Sequence, residues 1–167
     1  MFRVKTLIVI VPMCITFPVA GWSQSPAAAG FDKLKTLVGE WQGTSSEKTP
    51  VRVSYRLTSG GSALMETIRA GNEGEMLTVY HRDGDSLLMT HYCMVQNQPR
   101  MRATPRTAEI RELKFDFVDV SNLSKPDAGR MQRLLLTFED ADHITAKWTW
   151  KEKGEEKDEL FRLTRKQ

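Results

Sequence analysis

The chain has 167 residues, of which 40% are hydrophobic and 27% are charged, and its formal net charge at pH 7 is +3. A chain of this length is suited to one domain that buries a hydrophobic core of its own. Because basic and acidic side chains nearly balance, the composition gives no basic face, and we expect no nucleic-acid partner.

The first 23 residues follow the order of a secretory signal peptide. "MFRVK" supplies two positive charges, a long uncharged and largely apolar run follows, and small residues lie at Gly21 and Ser23. Pro12 and Pro18 interrupt the apolar run, which favours cleavage over a membrane anchor. We therefore expect export to the periplasm or the extracellular space, with no stable membrane insertion after removal of the signal.

Cleavage of that segment changes the cysteine count and the charge of the remaining chain. Cys14 would be removed and Cys93 would remain, so no internal disulfide is expected. The formal charge would fall from +3 to +1. Residues 24–30, "QSPAAAG", are then predicted to be a flexible lead-in, and residues 31–167 to be the folded domain.

A short helix is predicted at the start of this domain. Asp32 is placed to cap it, with Phe31 before the cap and Leu34 and Leu37 along one side. Gly39 is placed to end it.

The rest of the chain has the two-residue period of β-strands, interrupted by turn residues. Ile144, Ala146, Trp148 and Trp150, for example, alternate with polar side chains. Strands with one apolar, buried face and one polar, solvent-exposed face are typical of antiparallel sheets. We predict an all-β fold, an antiparallel up-and-down barrel of about ten strands with a short N-terminal plug helix; a two-sheet sandwich is the alternative. The predicted strands are 40–46, 50–58, 63–70, 75–82, 87–95, 100–104, 108–119, 130–139, 142–150 and 156–164.

The segment "FDKLKTLVGEWQGT" at 31–44 resembles the start of calycin-type barrels, which include lipocalins, fatty-acid-binding proteins and the nitrobindin-like group. The chain is also similar in pattern to exported bacterial members of this type. The resemblance implies that a helix plugs one end of the barrel and that Gly39 and Trp41 open the first strand. It further implies an arginine stacked on Trp41, which "LFRLTRKQ" offers as Arg162 or Arg165, and we assign this structural role to Arg162.

The resemblance also bears on cofactors. Haem-binding members of these families use a histidine late in the chain as the iron ligand. Residues 151–167 contain no histidine, and the last one in the chain is His143. Haem is therefore disfavoured, and the resemblance leaves the identity of any cofactor open.

The stretch "THYCMVQNQPRMR" at 90–102 places His91 and Cys93 two residues apart in a predicted strand, on one face of a hairpin that turns at Asp83-Gly84 or Gly84-Asp85. Three interpretations are open. A zinc site needs three or four ligands, and no further ligand is identifiable, so no metal site is assigned. A thiol activated by the histidine would need direct contact, yet side chains two apart on a strand have Cβ atoms about 7 Å apart. Burial in a core or a pocket is the favoured interpretation, although the sequence does not decide which face of the hairpin points inward.

Barrels of this type hold apolar ligands that a few polar groups fix in place. We predict binding of a small, largely apolar molecule in the interior and assign no catalytic residue. The alternatives are a haem-dependent or histidine-based enzyme, and an interaction module that uses the outer face. Glu66 points inward only if Met65 and Thr67 do not, and for Arg100 a position on an outer face, with Met101 inside, is slightly favoured over an interior one. The predicted ligand-binding residues are Tyr55, Glu66, Tyr80, His91, Cys93 and Arg100.

Overall fold

The computed structural model describes residues 24–167, so the predicted signal peptide lies outside the described residues. Within them, no helix is long and apolar enough to cross a membrane. The elements in chain order are α1 (Pro26–Lys35), β1 (Gly39–Ser45), β2 (Pro50–Thr58), β3 (Ala63–Ala70), β4 (Met76–Asp83), β5 (Ser86–Tyr92), β6 (Gln98–Ala103), β7 (Glu112–Ser121), β8 (Arg130–Phe138), β9 (His143–Glu152) and β10 (Glu155–Arg165), with a single 3-10 turn at Ser59–Gly61.

The ten strands form one closed antiparallel barrel in which each strand pairs with its neighbours in sequence and β10 pairs back onto β1. The predicted barrel is confirmed, and the sandwich alternative is wrong. Most predicted strands agree with the observed bounds within two residues. The exceptions are β7, which begins at Glu112 instead of residue 108, and β5, which ends at Tyr92 instead of residue 95.

Helix α1 begins earlier than predicted, so residues 26–30 are not a flexible lead-in. Ser25, and not Asp32, is the N-cap: its Oγ accepts a hydrogen bond from the backbone N–H of Ala28 at 3.2 Å. Pro26 occupies the first turn, where a missing N–H costs nothing, and the alanines that follow favour a helix. Ala27 and Ala29 are buried, so this segment is packed against the barrel.

The barrel has two different ends. α1 covers the end at which β1 begins, where it lies against β4 and β5, and its Leu34 is fully buried together with Leu37 and Trp41. The connections at the opposite end are 46–49, 71–75, 93–97, 122–129 and 153–154. No described helix covers that end, which we call the mouth.

Trp41 is held by Arg165 and not by the predicted Arg162. The Arg165 guanidinium lies 4.3 Å from the centre of the Trp41 ring and donates hydrogen bonds to the carbonyl oxygens of Val38 and Thr36. Phe161 and Leu163 point inward, so Arg162 between them points outward. Arg165 lies two residues after Leu163, so it is on the same, inward-facing side of β10, at the end of the strand.

Two glycines in β1 allow close contacts at the seam of the barrel, which is the pairing of β1 with β10. Gly39 has a φ of +126°, and a Cβ there would lie 3.3 Å from an Nη atom of Arg165. β1 begins at Gly39, but the helix ends at Lys35 with Thr36 as its C-cap, so the prediction that Gly39 ends the helix is wrong. At Gly43, a Cβ would lie 1.8 Å from the carbonyl oxygen of Arg162 in β10. The last strand can approach the first this closely only because Gly43 has no side chain.

Candidate ligand-binding cavity

The hairpin β4–β5 directs its polar residues into the barrel. Asp83 pairs with Ser86, so the turn is at Gly84-Asp85. Thr78, Tyr80 and His91 are buried, together with the neighbours that share their face. The structure thereby decides which face points inward, and both Tyr80 and His91 lie on it.

Four polar side chains form a row across the inner wall. In the register of the sheet, Tyr55 pairs with Glu66, Glu66 pairs with Thr78, and Thr78 pairs with His91. Each residue belongs to a different strand, from β2 to β5, at the same level of the barrel. The row is therefore a consequence of register, which brings together residues far apart in sequence.

Glu66 is the centre of a buried hydrogen-bond network. The hydroxyl of Tyr55 donates to Oε1 at 2.7 Å, and the hydroxyl of Tyr80 donates to Oε2 at 2.7 Å. Burial raises the pKa of Glu66, while the hydrogen bonds from Tyr55, Tyr80 and Thr78 act in the opposite direction. Burial and the neighbouring carboxylate raise the pKa of both tyrosines well above the usual value. Both phenols therefore keep their protons and remain donors.

His91 is only 1% exposed, yet only one of its ring nitrogens is satisfied. Nδ1 lies 2.9 Å from Oγ1 of Thr78, while Nε2 is buried without a hydrogen-bond partner among the described residues. The imidazole also lies against the indole of Trp148, with ring centres 4.9 Å apart. Burial lowers the pKa of His91 to about 4, so the ring is neutral at pH 7.

His91 lies at the inner end of a cavity of about 590 Å³ that opens at the mouth. The lining is mostly apolar, and its polar groups are concentrated toward the rim. The residues that line the cavity are Glu47, Thr49, Ile68, Ala70, Glu73, Met76, His91, Cys93, Met94, Val95, Met131, Trp148, Trp150, Lys157, Glu159 and Phe161.

The rim of the cavity is acidic. Lys157 donates to Oε1 of Glu47 at 2.7 Å, which lowers the pKa of Glu47. Glu73 and Glu159 line the same cavity. Partial burial, together with the negative charges of Glu47 and Glu73, raises the pKa of Glu159. The lining thus has three glutamates and one lysine, and the lysine is bonded to Glu47.

Cys93 lines the cavity, but it follows the end of β5 instead of belonging to the strand. Its thiol forms no disulfide within the described residues, and burial raises its pKa, so it stays protonated at neutral pH and is a poor nucleophile. Among residues 24–167 no three side chains of histidine, cysteine, aspartate or glutamate come together as a metal site.

Arg100 lies apart from the other predicted site residues. Its side chain is 48% exposed on the outer face of β6 and forms an ion pair with Asp119 of β7. The neighbouring Met101 is fully buried, so the alternation of the strand turns Arg100 away from the interior. The prediction that Arg100 contacts an interior ligand is therefore wrong.

Of the predicted site residues, the structure brings Tyr55, Glu66 and Tyr80 together in the network beneath the cavity, and places His91 and Cys93 in its lining. Three further residues of the site, Thr78, Trp148 and Phe161, were not among the predicted ones. The alternation placed Thr78 and Trp148 on faces shared with apolar residues, but no pattern showed that both would lie against His91.

No family model matches the chain, and no curated protein matches its sequence. The fold and the cavity define the class: a closed ten-stranded antiparallel β-barrel, covered by a helix at one end and open to a largely apolar cavity at the other.

Proposed function

We propose that this protein is an exported, calycin-like barrel that binds a small, largely apolar molecule in the mouth cavity without transforming it. The observation that carries the proposal is the combination of an apolar cavity with one buried, unsatisfied polar atom, Nε2 of His91. Ligand sites commonly pair an apolar lining with a few placed polar groups. A buried polar atom without a partner costs about 1–3 kcal/mol, which a ligand hydrogen bond would recover.

The size and lining of the cavity support this function. A volume of about 590 Å³ falls in the range that holds a drug-sized molecule or a medium acyl chain. Met76, Met94 and Met131 supply flexible, polarisable side chains that adapt to the shape of an apolar ligand. Trp148 and Phe161 supply large, flat apolar surfaces.

The same residues disfavour catalysis. His91 is oriented by a threonine hydroxyl rather than by a carboxylate, and its low pKa makes it a weak base. Cys93 carries a protonated thiol. We therefore favour binding over a histidine-based or cysteine-based reaction.

A second candidate is haem binding through His91. Nε2 is a neutral imidazole nitrogen to which no residue of 24–167 is hydrogen-bonded, and Nδ1 is fixed by Thr78, an arrangement that suits an axial iron ligand. Against this candidate, the lining residue Lys157 is already bonded to Glu47, so it is not free to pair with the propionates of haem.

The first test is native mass spectrometry of the protein purified from an exporting host, compared with the mass after denaturation. An excess native mass of a few hundred daltons would identify a retained ligand, and a visible absorption band would reveal haem. Titration with dodecanol, followed through the fluorescence of Trp148 and Trp150, tests binding directly.

The variant His91→Ala is expected to lose the bound mass, or to weaken binding about tenfold or more. The matched control is His143→Ala, because His143 is half exposed at the helix end of the barrel, bonded to Asp140. Equal binding by both variants, or no binding to the wild-type protein, would contradict the proposed function.

A further inference from the structure

The wall of the cavity that β9 and β10 form combines aromatic rings with a carboxylate. In the register of these two strands Trp148 pairs with Glu159, and Trp150 pairs with Lys157. All four side chains line the cavity, as does Phe161, which lies two residues after Glu159 on the same face of β10. The Glu159 carboxylate therefore belongs to an aromatic surface, with an indole directly opposite it and a phenyl ring next to it along the strand.

The charge of Glu159 is not neutralised within residues 24–167. The ion pairs that β10 forms involve Glu156, Lys157, Asp158 and Arg165, and none of them involves Glu159. Lys157 is the one lysine or arginine among the described residues that line the cavity, and it is bonded to Glu47 at 2.7 Å. With Glu73 the lining has three glutamates and one lysine, so negative formal charge is in excess.

The aromatic rings of the cavity are not covered by a cation of the described chain either. Its cation–π contacts lie on four other rings, those of Phe31, Trp41, Phe117 and Phe138. Aromatic rings attract ammonium groups, more strongly when water is excluded, and surfaces of this kind recognise alkylated ammonium ions. The cavity wall thus offers both an unneutralised carboxylate and aromatic surface for such a group.

We propose, on the basis of the function proposed above, that the mouth cavity takes apolar molecules with a cationic head, an ammonium or alkylated ammonium group, and that Glu159 and the aromatic rings of β9 and β10 bind this head. The apolar part of the molecule lies against Ile68, Met76 and Met131. An anionic molecule of the same size is excluded, because it meets an excess of negative charge and finds no cation that is not already paired.

The location of the carboxylate determines how strong the preference is. Glu159 is partly buried, so protein replaces water on one side of it, and its attraction for an ammonium group is stronger than that of a fully exposed side chain. A neutral head of similar size gains none of this attraction. We expect a difference of at least tenfold in affinity between a cationic and a neutral head.

The test compares three probes of equal chain length below their micelle concentrations: dodecyltrimethylammonium, dodecanol and dodecanoate. Binding to the purified protein is followed at pH 7 through tryptophan fluorescence. We expect the cation to bind at least tenfold more tightly than the alcohol, and dodecanoate to bind most weakly. If the alcohol or dodecanoate binds as tightly as the cation, the inference is overturned and the proposed function stands. If none of the three binds, the proposed function is contradicted and the inference fails with it.

The variant Glu159→Gln tests whether this carboxylate is the one that binds the head, because it keeps the size of the side chain and removes only its charge. We expect the advantage of dodecyltrimethylammonium over dodecanol to fall at least fivefold, with the affinity for dodecanol unchanged. The matched control is Glu40→Gln, which removes the same charge from an exposed position at the helix end of the barrel and should keep the full advantage. Equal advantages in both variants overturn the assignment to Glu159.

A measurement on the wild-type protein makes the test independent of the variants. Added salt screens the attraction between a cation and carboxylates, whereas the binding of the alcohol involves no charge. The ratio of the two affinities should therefore decrease between 20 mM and 500 mM sodium chloride. A ratio that stays constant over this range means that packing alone distinguishes the probes, and it refutes the inference.

Discussion

Acidification is expected to destabilise the protein through His91 before most carboxylates titrate. In the unfolded chain the histidine has its ordinary pKa of 6.5, and in the folded barrel burial lowers it to about 4. As the pH falls through this range, the histidine binds a proton in the unfolded chain but not in the folded protein. Stability is therefore complete above pH 6.5 and decreases toward pH 4.

The size of this loss follows from the two pKa values. Each unit of difference corresponds to about 1.4 kcal/mol, so the complete effect is about 3 kcal/mol. Between pH 7 and pH 5.5 about 1 kcal/mol is lost, because the unfolded histidine is then mostly charged and the folded one is not. Over that interval carboxyl groups with lowered pKa values, such as Asp119, stay ionised in both states.

Urea denaturation at the two pH values, followed by fluorescence, measures the effect. The comparison is with His91→Gln, which keeps a polar neutral side chain but cannot titrate, and with His143→Gln as the control. Glu66 and Glu159 have raised pKa values and act in the opposite direction, stabilising the fold as the pH falls. The prediction therefore concerns the difference between wild type and His91→Gln. If both lose the same stability between pH 7 and pH 5.5, the imidazole is not held neutral by burial.

Three substitutions test the packing of the barrel by the same urea method. Tyr55→Phe removes one of the two tyrosine donors to the buried Glu66 carboxyl, and we expect a loss of about 2 kcal/mol; an unchanged midpoint would mean that the network adds no stability. Arg165→Met removes the stacked guanidinium, its bonds to three backbone carbonyls and its bond to the Asp142 carboxylate, for an expected loss of about 2 kcal/mol, while the outward-facing Arg162→Met should stay within about 0.5 kcal/mol; similar effects of the two would refute the assignment. Gly43→Ala forces a methyl group into the backbone of β10 and should cost about 3 kcal/mol or more, so a variant of wild-type stability would contradict the close approach of the two strands.

The strands were predictable because apolar side chains toward the core alternate with polar side chains toward solvent along each of them. Where the expectation failed, the sequence often held a signal that was not used. Ser25 followed by Pro26 is an N-terminal helix signature, but the run of small residues after it was interpreted as a linker. Arg165 lies on the same face of the strand as Phe161 and Leu163, and this alternation favoured Arg165 over Arg162 as the partner of Trp41.

The site was predictable only in part. Tyr55, Glu66 and His91 stood out as polar residues among apolar neighbours, and alternation placed Tyr80 and His91 on one face. That Glu66 receives both tyrosines depends on the register of three strands, which a single sequence does not fix. The location of the cavity could not be predicted, because it depends on which levels of the barrel interior are filled by large side chains. That is decided only when the strands are assembled in register.

The seam between β1 and β10 also has a consequence for folding. Trp41 pairs with Arg165, so the seam joins the first and last strands of the domain, which lie far apart in sequence. Contacts of such long range slow folding, and until the seam closes, two strands present unpaired backbone groups to other chains. Closure also requires the close approach of β10 at Gly43, where a side chain would clash with the backbone of Arg162. A chain truncated before β10 would keep a permanent edge, and it would be expected to aggregate or to exchange strands with another copy.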